Sequence, residues 1–436
     1  MNVLPSDRRT FLKHSTAAAA VATTQLNIAR TAHAAGSDVL RLGVVGCGGR
    51  GSGATIQALN ADKQVRLVAM GDAFEDHLES SFKNLQSAAV PHSNVESTEE
   101  LAARVDVPSE RRFVGFDAYR QVIDLVDVVI LASPPHFRPR HLAYAVEKGV
   151  HVFAEKPVAT DAPGVRQCLE ATKLAKEKSL ALVSGLCWRY HNPRRETMQR
   201  VLDGAIGQPV AIETIYNAGG VWAPRKTRDQ VGSDMEYQLR NWYYYSWLSG
   251  DHIVEQAVHA LDTMAWVMGD QLPIQCRGNG GRQVRTAPEF GDIYDHFSIV
   301  YEYPNDVRGY HSCRHWSGAD HKVRDYILGS QGFCDVWKHI IRGDSDWRYE
   351  GEDNSMYQSE HDALFRSSLA GEPINNGEYM CHGTMLAIMG RMAAYTGKQV
   401  TWDMAMESEQ SLGPDRYEWG DAPACVVPLP GQTPFI

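Results

Sequence analysis

The sequence predicts an α/β protein built from two domains. The first, over residues 38–160, is a doubly wound parallel sheet, and the second, over 161–436, is an α+β domain with an open, mostly antiparallel sheet. Strand-like and helix-like segments alternate from residue 40 to about 157, which is typical of a parallel sheet with helical crossovers. The strand predicted at 126–132 is apolar throughout, as expected when helices cover both sheet faces. From about residue 180 neighbouring strands follow one another, which favours antiparallel pairing.

Hydrophobic periodicity and turn residues place the elements in order. In the first domain, strands are predicted at 40–46, 65–72, 113–114, 126–132 and 150–154, with helices at 53–59 and 138–148. In the second domain, helices are predicted at 161–178, 193–202, 252–268, 357–370 and 377–395, and strands at 180–187, 210–216, 273–286, 293–303, 307–316 and 323–329. A segment at 217–250, rich in Gly, Trp and Tyr, is predicted to be irregular.

The composition limits the class of partner. The chain has 436 residues and a formal net charge of −10, and its length is enough for about two or three domains. An acidic chain is not expected to bind nucleic acid or an anionic membrane as its main partner. No apolar stretch reaches the ~20 residues that a membrane span needs.

The first 35 residues resemble a twin-arginine export signal. Arg8 and Arg9 precede a weakly apolar Ala/Val/Thr stretch and then Ala32-His33-Ala34, which is a small-residue cleavage pattern. A disordered basic tail is the alternative. Because twin-arginine export carries folded proteins, the segment predicts a periplasmic or extracellular protein that acquires its cofactor before export.

A glycine-rich turn follows the first predicted strand. Gly46, Gly48 and Gly51 form the pattern G-x-G-x-x-G between that strand and a helix. In this context the glycines allow a tight turn, close approach of the backbone to a pyrophosphate and close strand–helix packing. The helix N-terminus adds free N–H groups and the positive end of the helix dipole. The pattern predicts a dinucleotide site that includes Gly49 and Arg50.

The second predicted strand ends in an acidic residue. Asp72 stands at the spacing of the carboxylate that binds an adenosine ribose diol, and a strand-end Asp in a turn is the alternative. The next residues, 73–76, add acid and no Arg or Lys. A 2′-phosphate would be repelled there, so NAD is expected rather than NADP.

Two later strands end in polar residues at the sheet edge where ligands bind. The strand at 126–132 is followed by Ser133, Pro134 and His136, and the strand at 150–154 by Glu155 and Lys156. All five residues are expected to contact the cofactor. A lysine beside a nicotinamide pocket can donate a hydrogen bond to a substrate oxygen, or act as an acid or base if burial lowers its pKa. A turn lysine without a chemical role is the alternative.

Three further polar residues lie on one predicted helix. Glu255, His259 and Asp262 share a face if 252–268 is a single helix, and the Glu255 carboxylate would then orient the His259 imidazole. A metal-binding Glu–His pair is an alternative, but no third ligand stands at metal spacing, so no metal is expected. A surface ion pair is the other alternative.

The irregular segment 217–250 is expected to cover the substrate. It contains Trp222, Arg240 and Trp242. Aromatic faces pack on the C–H faces of sugar rings, and arginine binds carboxylates or hydroxyls. The alternative is an aromatic cluster that packs the segment on the core or on a partner subunit.

Several of these segments together resemble one enzyme family. In order and spacing they are similar to the glucose-fructose oxidoreductase, inositol dehydrogenase and MocA (Gfo/Idh/MocA) family. The matching segments are the glycine loop, Glu155-Lys156-Pro157, Arg189-Tyr190, His259-x-x-Asp262 and the stretch 396–402. The resemblance implies an N-terminal Rossmann domain, NAD(P), sugar or polyol chemistry, and a homo-oligomer that is a dimer or a tetramer.

The resemblance also implies roles for individual residues. Lys156 matches the family's catalytic lysine and His259 its catalytic histidine, whereas Glu255 stands where many members have Asp. We therefore expect an NAD-dependent oxidoreductase that acts on a sugar or polyol hydroxyl, with these three as catalytic residues. The residues expected to bind the substrate are Arg189, Tyr190, Trp222, Arg240, Trp242, His259 and Asp262.

Two alternatives to a simple oxidoreductase stay open. Some members of the family are NAD-dependent glycosidases, which oxidise the sugar, eliminate, add water and re-reduce, so that net hydrolysis consumes no NAD. The other alternative is a sugar-binding protein with a vestigial cofactor. The intact Gly46, Asp72, Lys156 and His259 argue against it.

Overall fold

The computed structural model describes residues 39–87 and 98–435. The predicted export signal, residues 1–35, lies outside the described residues. The described part contains two sheets with helices packed against them. Within it, no helix combines the length and the apolarity that a bilayer crossing requires.

The first sheet is parallel and has six strands. They are β1 (Leu40–Val45), β2 (Val65–Asp72), β3 (Arg112–Val114), β4 (Val128–Leu131), β5 (His151–Ala154) and β6 (Leu182–Ser184). The helices of this part are α1 (Gly49–Ala61), α2 (Glu75–Gln86), α3 (Thr98–Ala102), α4 (Ala118–Ile123), α5 (Arg138–Lys148) and α6 (Ala162–Glu177). The strand order is β3-β2-β1-β4-β5-β6, which confirms the predicted doubly wound Rossmann sheet. The order reverses between β1 and β4, where open α/β sheets bind their ligands.

Burial on both faces explains the parallel pairing. All four residues of β4 and five of the six in β1 are buried. Full burial of a Val, Leu or Ile side chain contributes about 1.5–3 kcal/mol relative to exposure, so these short apolar strands are stable only beneath helices on both sides.

The first sheet extends beyond the predicted domain boundary at residue 160. β6 pairs in parallel with β5, and α6 is the crossover that joins them. Parallel neighbours need a crossover connection of this kind, so the strand predicted at 180–187 belongs to the first sheet rather than to the second domain.

The second sheet has nine strands and is mostly antiparallel. They are β7 (Pro209–Ala218), β8 (Gln275–Gly281), β9 (His296–Glu302), β10 (Arg308–His315), β11 (Lys322–Gly329), β12 (Phe333–Asp335), β13 (Ile340–Arg342), β14 (Trp347–Arg348) and β15 (Val400–Thr401). Their order is β14-β13-β12-β11-β7-β10-β9-β8-β15, and only β7 and β10 pair in parallel. This sheet confirms the open, mostly antiparallel sheet that the sequence predicts for the second domain.

Helices cover one face of the second sheet. The helices of this part are α7 (Asn192–Leu202), α8 (Asp234–Arg240), α9 (Ser246–Ser249), α10 (His252–Glu255), α11 (Val258–Val267), α12 (Met356–Leu369), α13 (Gly377–Thr396) and α14 (Trp402–Glu407). Tyr301 on β9 donates a hydrogen bond to the carbonyl oxygen of Leu386 on α13 (2.9 Å). Met264 on α11 packs on Gly309 of β10, where a larger residue would collide with its sulfur. The sheet thus holds α11 and α13 in place beside the first domain.

Candidate active site

A cleft of about 540 Å³ lies at the carboxyl edge of the first sheet and continues onto the second domain. Its volume is within the usual range for small-molecule sites. Lining residues come from several strand ends and from the second domain, among them Gly48 after β1, Asp72 on β2, Ser133 after β4, Lys156 after β5 and His259 on α11. The fold therefore brings the main predicted residues of both domains to one cleft.

The glycine loop has the geometry of a dinucleotide-binding turn. Gly46 has a φ of +95°, and a Cβ there would lie 2.4 Å from the backbone nitrogen of Ser133. A Cβ at Gly51 would lie 1.9 Å from the carbonyl oxygen of Gly46, so α1 packs this closely only with glycine. At Gly48 and Gly49 an added Cβ would meet no atom of the described residues within 4 Å, and both glycines line the cleft. Because α1 begins at Gly49, its free N–H groups offer an anion site there.

Two backbone hydrogen bonds fix the Asp72 carboxylate. Oδ2 accepts from the N–H of Cys47 (2.6 Å) and Oδ1 from the N–H of Phe74 (2.9 Å). Burial raises the pKa of Asp72, and the two hydrogen bonds oppose that rise. Each oxygen keeps a further lone pair and the residue lines the cleft, so this carboxylate fits the two hydroxyls of a ribose.

Lys156 is held by Glu255 from the other domain. Its ammonium donates hydrogen bonds to the main-chain oxygen of Glu255 (2.5 Å) and to Oε1 (3.0 Å). The two side chains are 14% and 10% exposed, so solvent screens the ion pair only weakly. Glu255 Oε2 is buried and has no hydrogen-bond partner among the described residues. The expectation that Glu255 orients His259 is thus corrected, because this carboxylate holds Lys156.

A break in the predicted helix explains the correction. The segment 252–268 forms two helices, α10 and α11, instead of one. Between them, the N–H of Ala257 bonds to the carbonyl oxygen of His252, five residues back (3.0 Å). This π-type turn rotates α11 relative to α10. Glu255 and His259 therefore do not share one face as they would in a regular helix.

The His259 ring stacks on Trp188, with 5.1 Å between centroids and 28° between planes. Burial, the charge of Lys156 and the charge of Arg194 together hold the pKa of His259 well below its ordinary value. The imidazole is therefore neutral at pH 7 and able to accept a proton. Its Nδ1 is buried without a hydrogen-bond partner in the described part of the chain.

Arg50 and Glu155 line the cleft but pair with each other. Arg50 Nε donates to Glu155 Oε1 (2.5 Å), and its Nη2 donates to Gln57 (2.8 Å). Glu360, fully buried on α12, lies 3.8 Å from the same guanidinium group. The two residues thus line the cleft as an ion pair, and their contact with the cofactor stays a prediction.

The loop after β4 contributes to the cleft only in part. Ser133 and Pro134 line it, in the place predicted for them. His136 lies against the C-terminal part of the chain instead, where its Nε2 is 2.7 Å from the hydroxyl of Tyr417. Burial lowers the pKa of His136 to about 4, so it is neutral. Its expected cofactor contact is corrected to a packing role.

The residues predicted on the irregular segment separate in the structure. Trp222 and Trp242 line the cleft. Arg240 instead forms ion pairs with Asp76 (2.7 Å) and Glu236 (3.2 Å). Its expected substrate contact is corrected, because both carboxylates neutralise it beside the end of β2.

Arg189, Tyr190 and Asp262 also lie away from the cleft. Arg189 binds Asp262 through two hydrogen bonds of 2.9 Å, and both side chains are buried. Tyr190 donates a hydrogen bond to Asn376 (2.6 Å). Arg189 and Tyr190 line a separate groove of about 630 Å³. Their expected substrate contacts are therefore corrected to contacts that tie the second domain together.

Several cleft residues escape prediction from the sequence. Trp188, Tyr216, Gln256 and Tyr357 all line the cleft, and the Tyr216 hydroxyl donates to Gln256 Oε1 (3.0 Å). Trp188 follows a predicted strand at the ligand edge, which is a signal that identifies it. Tyr357 comes from α12, and no local pattern indicates that this helix returns to the cleft.

Models of one family match both domains. The oxidoreductase family model with an NAD-binding Rossmann fold matches residues 40–186, and the GFO/IDH/MocA C-terminal domain model matches residues 195–334. The chain belongs to the Gfo/Idh/MocA oxidoreductase family. The first match ends just after β6, in agreement with the six-stranded sheet.

Individual members of the family are only distantly similar. The chain is 24% identical over 210 residues to a 2,7-anhydro-N-acetylneuraminate hydratase of Escherichia coli strain K12, which covers 48% of this chain and 50% of that one. It is 26% identical over 212 residues to inositol 2-dehydrogenase 3 of Saccharopolyspora erythraea, which covers 48% and 53%. The chain thus spans about half the length of these relatives.

Solved structures share the fold over most of the chain. An aldose-aldose oxidoreductase from Caulobacter crescentus, complexed with glycerol, matches with a TM-score of 0.62 at 17% identity, covering 83% of this chain and 99% of that one. GenD2 from gentamicin A biosynthesis, in complex with NAD, matches with a TM-score of 0.61 at 17% identity, covering 84% and 97%. At this identity the likeness concerns the fold alone.

Proposed function

We propose that this protein is an NAD-dependent oxidoreductase that acts on a hydroxyl group of a sugar or polyol. One observation carries the proposal: the Lys156 ammonium, held by Glu255, and the neutral His259 line the same cleft as the glycine loop. The strand order puts Asp72 and Lys156 on opposite sides of β1 and β4, as the two ends of a dinucleotide require.

The residues around Asp72 favour NAD over NADP. A 2′-phosphate beside the Asp72 carboxylate would meet like charge. Arg240 lies over the Phe74 ring beside this end of the cleft, and Asp76 and Glu236 pair with it. Titration of the purified protein with NAD and with NADP tests this preference, and tighter binding of NADP would contradict it.

The chain's own groups divide the proton chemistry between them. Bound NAD supplies the hydride acceptor for the carbinol carbon. His259 takes the hydroxyl proton, because its imidazole is neutral at pH 7. Lys156 donates a hydrogen bond to the same oxygen and stabilises the negative charge that develops on it. Glu255 keeps the ammonium in place. Acid–base assistance of this kind contributes about 10²–10⁴-fold to the rate.

A second candidate is an NAD-dependent glycoside hydrolase that oxidises, eliminates, hydrates and re-reduces its substrate. The Glu255 carboxylate favours it, since Glu255 lines the cleft and its buried Oε2 has no hydrogen-bond partner among the described residues. Elimination and hydration each move a proton at carbon, and a carboxylate in the same cleft as His259 supplies a second group for that transfer. One relative is named as a hydratase, which accords with this chemistry.

One experiment distinguishes the two candidates. Purified protein is incubated with a panel of polyols, free sugars and aryl glycosides in D₂O, with and without added NAD. An oxidoreductase forms reduced NAD in proportion to product and leaves the carbons next to the reacting centre unlabelled. A hydrolase releases the aglycone without net NAD reduction and incorporates deuterium next to that centre. If no substrate of the panel shows either activity, both candidates are contradicted.

Export and self-association belong to the same proposal. Arg8, Arg9 and Ala32-His33-Ala34 support twin-arginine export to the periplasm or the exterior. The N-terminal sequence of the protein from that compartment tests it, and we expect residues 1–35 to be absent.

Light scattering tests the proposed homo-oligomer, for which a dimer or tetramer is expected.

A further inference from the structure

The chain returns from the second domain to the first near its C-terminal end. After α14, residues 411–425 run along the outside of the first domain, and we call them the 411–425 segment. Tyr417 and Trp419 lie in it. The hydroxyl of Tyr417 contacts His136 Nε2 at 2.7 Å, and the guanidinium of Arg140 lies 4.7 Å from its ring centroid. The segment is therefore attached to α5 and to the loop before it.

Tyr417 and Trp419 pack behind the aromatic residues that line the Asp72 end of the cleft. Phe74, Phe116 and Phe137 line the cleft there. The Trp419 ring lies 4.8 Å from that of Phe116 and 5.5 Å from that of Phe74, and the Tyr417 ring lies 5.4 Å from that of Phe137. These spacings are typical of packed aromatic pairs. The wall rings thus have the cleft on one side and the 411–425 segment on the other.

Hydrogen bonds at both ends hold the 411–425 segment against its neighbours. Near its start, the N–H of Leu412 donates to Asp161 Oδ2 (3.1 Å). Near its end, the carbonyl oxygen of Gly420 accepts from the N–H of Met235 (2.9 Å). Gln238 Nε2 donates to the carbonyl oxygen of Pro423 (2.9 Å). The segment therefore spans the first domain and α8.

The ends of β2 and β3 are the adenosine side of a Rossmann sheet, because Asp72 marks the ribose position. We infer that the 411–425 segment holds the aromatic wall of the adenine pocket in its binding conformation, with Tyr417 and Trp419 as positioning residues. The inference rests on the proposed function only in that the cleft binds a dinucleotide. Without the backing rings, Phe74 and Phe116 gain alternative rotamers, and adenine binding must then restrict them.

The test compares a ligand that carries adenine with one that does not. Calorimetry on the full-length Trp419→Ala variant measures binding of NAD and of nicotinamide mononucleotide, which lacks the adenosine half. We expect the Kd for NAD to rise about tenfold, since two aromatic contacts are lost. The Kd for the mononucleotide and the turnover at saturating NAD are expected to stay within about twofold. Val426→Ala, at a side chain that is 70% exposed just beyond the segment, is the matched control.

Two results with folded Trp419→Ala overturn the inference. If NAD affinity is unchanged, the segment does not support the pocket. If NAD and the mononucleotide weaken equally, the substitution acts on the whole fold. Should Trp419→Ala not fold, Tyr417→Phe serves instead: it removes only the hydroxyl at His136, and an adenine-selective loss of about threefold is expected. If the wild-type protein binds neither ligand, the proposed function is contradicted together with this inference. If the wild type binds NAD and the variant binds it equally well, only this inference is contradicted.

Discussion

Lys156 and Glu255 form a buried ion pair across the two domains, and this pair sets the charge beside the proposed reaction centre. Breaking a buried pair by removing one partner costs about 3–5 kcal/mol, because the other charge stays buried alone. Both side chains are largely shielded from solvent, so this case applies. His259 differs from them, since its pKa is lowered and it is neutral at pH 7. The site thus combines a fixed cation with an uncharged base.

Replacing Lys156 tests the cation. Lys156→Ala is expected to keep NAD binding and to lower kcat about 10²-fold, because the developing charge on the substrate oxygen loses its hydrogen-bond donor. Calorimetry and steady-state kinetics measure the two effects. Lys173→Ala, at a lysine on α6 that is 67% exposed, is the control and should behave as wild type. A near-normal rate for Lys156→Ala would remove this residue from the mechanism.

The pH profile tests His259. A general base must be deprotonated, and the lowered pKa of His259 keeps it so at pH 7. The acid limb of kcat/KM for alcohol oxidation is therefore expected below the ordinary histidine pKa of about 6.5. His259→Asn should lower kcat about 10²-fold and abolish this limb. The check is a profile over roughly pH 4 to 9, and an acid limb centred above 6.5 would argue against His259 as the base.

The sequence predicts which residue types reach the cleft, but not how their side chains pair. Gly46, Asp72 and Lys156 follow strand ends, and the carboxyl edge of a parallel sheet gathers such residues. The pairing of Glu255 depends on the π-type turn at Ala257, which no spacing reveals. Arg50 pairs with Glu155 across the cleft, and a contact between two residues so far apart in sequence leaves no local pattern.

The glycine loop is the element that joins fold to cofactor binding. Gly51 is required for packing, because a Cβ there would collide with the carbonyl oxygen of Gly46. Gly48 has open space around its Cβ position and so is free to serve the ligand. The two glycines therefore carry different constraints within one turn of chain.

Two alanine variants separate these constraints. Gly51→Ala is expected to lower the free energy of unfolding by at least about 2 kcal/mol, since β1 and α1 must move apart. Gly48→Ala is expected to unfold at the wild-type temperature but to bind NAD at least about tenfold more weakly, because its methyl group occupies the ligand side. Thermal unfolding and calorimetry distinguish the two. Equal stability of both variants would contradict the packing role of Gly51.

Element prediction succeeds where periodicity and stop signals agree. The helix at 138–148 is predicted with its observed bounds, because an amphipathic pattern ends at Gly149, which caps the helix with a positive φ of 76°. The structure interrupts the helix predicted at 252–268. The sequence does not predict this break, because the apolar pattern continues through the turn at Ala257. The short strands β12 to β15 are too brief to give a pattern of period two.

Aromatic side chains from several parts of the chain form one cluster beside the Asp72 end of the cleft. Phe74 and Phe137 of the first domain pack there with Tyr243 and Trp247 of the irregular segment, and Tyr417 packs against the same cluster. The sequence predicts the two domains and both sheet types from alternation and runs of strands. For the segment 217–250 the sequence offers such a cluster as the alternative to substrate binding. It does not predict the partners Phe74, Phe137 and Tyr417, because they are far from the segment in sequence.

Buried histidines make the stability of the whole molecule depend on pH. Burial lowers the pKa of several histidines in the core or on the cleft wall, which stay neutral when folded, namely His141, His259, His311, His315 and His361. The unfolded chain binds more protons than the folded one below about pH 6.5, so stability falls as the pH drops from 7 to 5. Each such histidine costs about 1–2 kcal/mol at pH 5. His252, whose pKa is raised to about 10, and Asp292 and Asp325, whose pKa burial raises to about 6, gain stability as the pH falls and so oppose this loss, but the histidines with a lowered pKa outnumber them.

Urea unfolding at pH 7 and at pH 5 measures this dependence. We expect a clear loss of unfolding free energy at pH 5. His361→Leu should reduce that loss, because one proton-binding site of the unfolded chain is gone. Leu369→Ala, at a half-exposed side chain on the same helix that carries no titratable group, is the control and should leave the difference unchanged. Equal stability of the wild type at the two pH values would contradict the account of these histidines.

The convergence of an ammonium and an imidazole on one carbohydrate oxygen is tested most directly by a single turnover. Holoenzyme loaded with NAD is mixed with each sugar or polyol of the panel, and the absorbance of reduced nicotinamide is followed. The wild type is expected to reduce its bound NAD with at least one substrate, and Lys156→Ala and His259→Asn to do so about 10²-fold more slowly at equal NAD occupancy. Reduction at the wild-type rate in both variants would contradict the proposed chemistry.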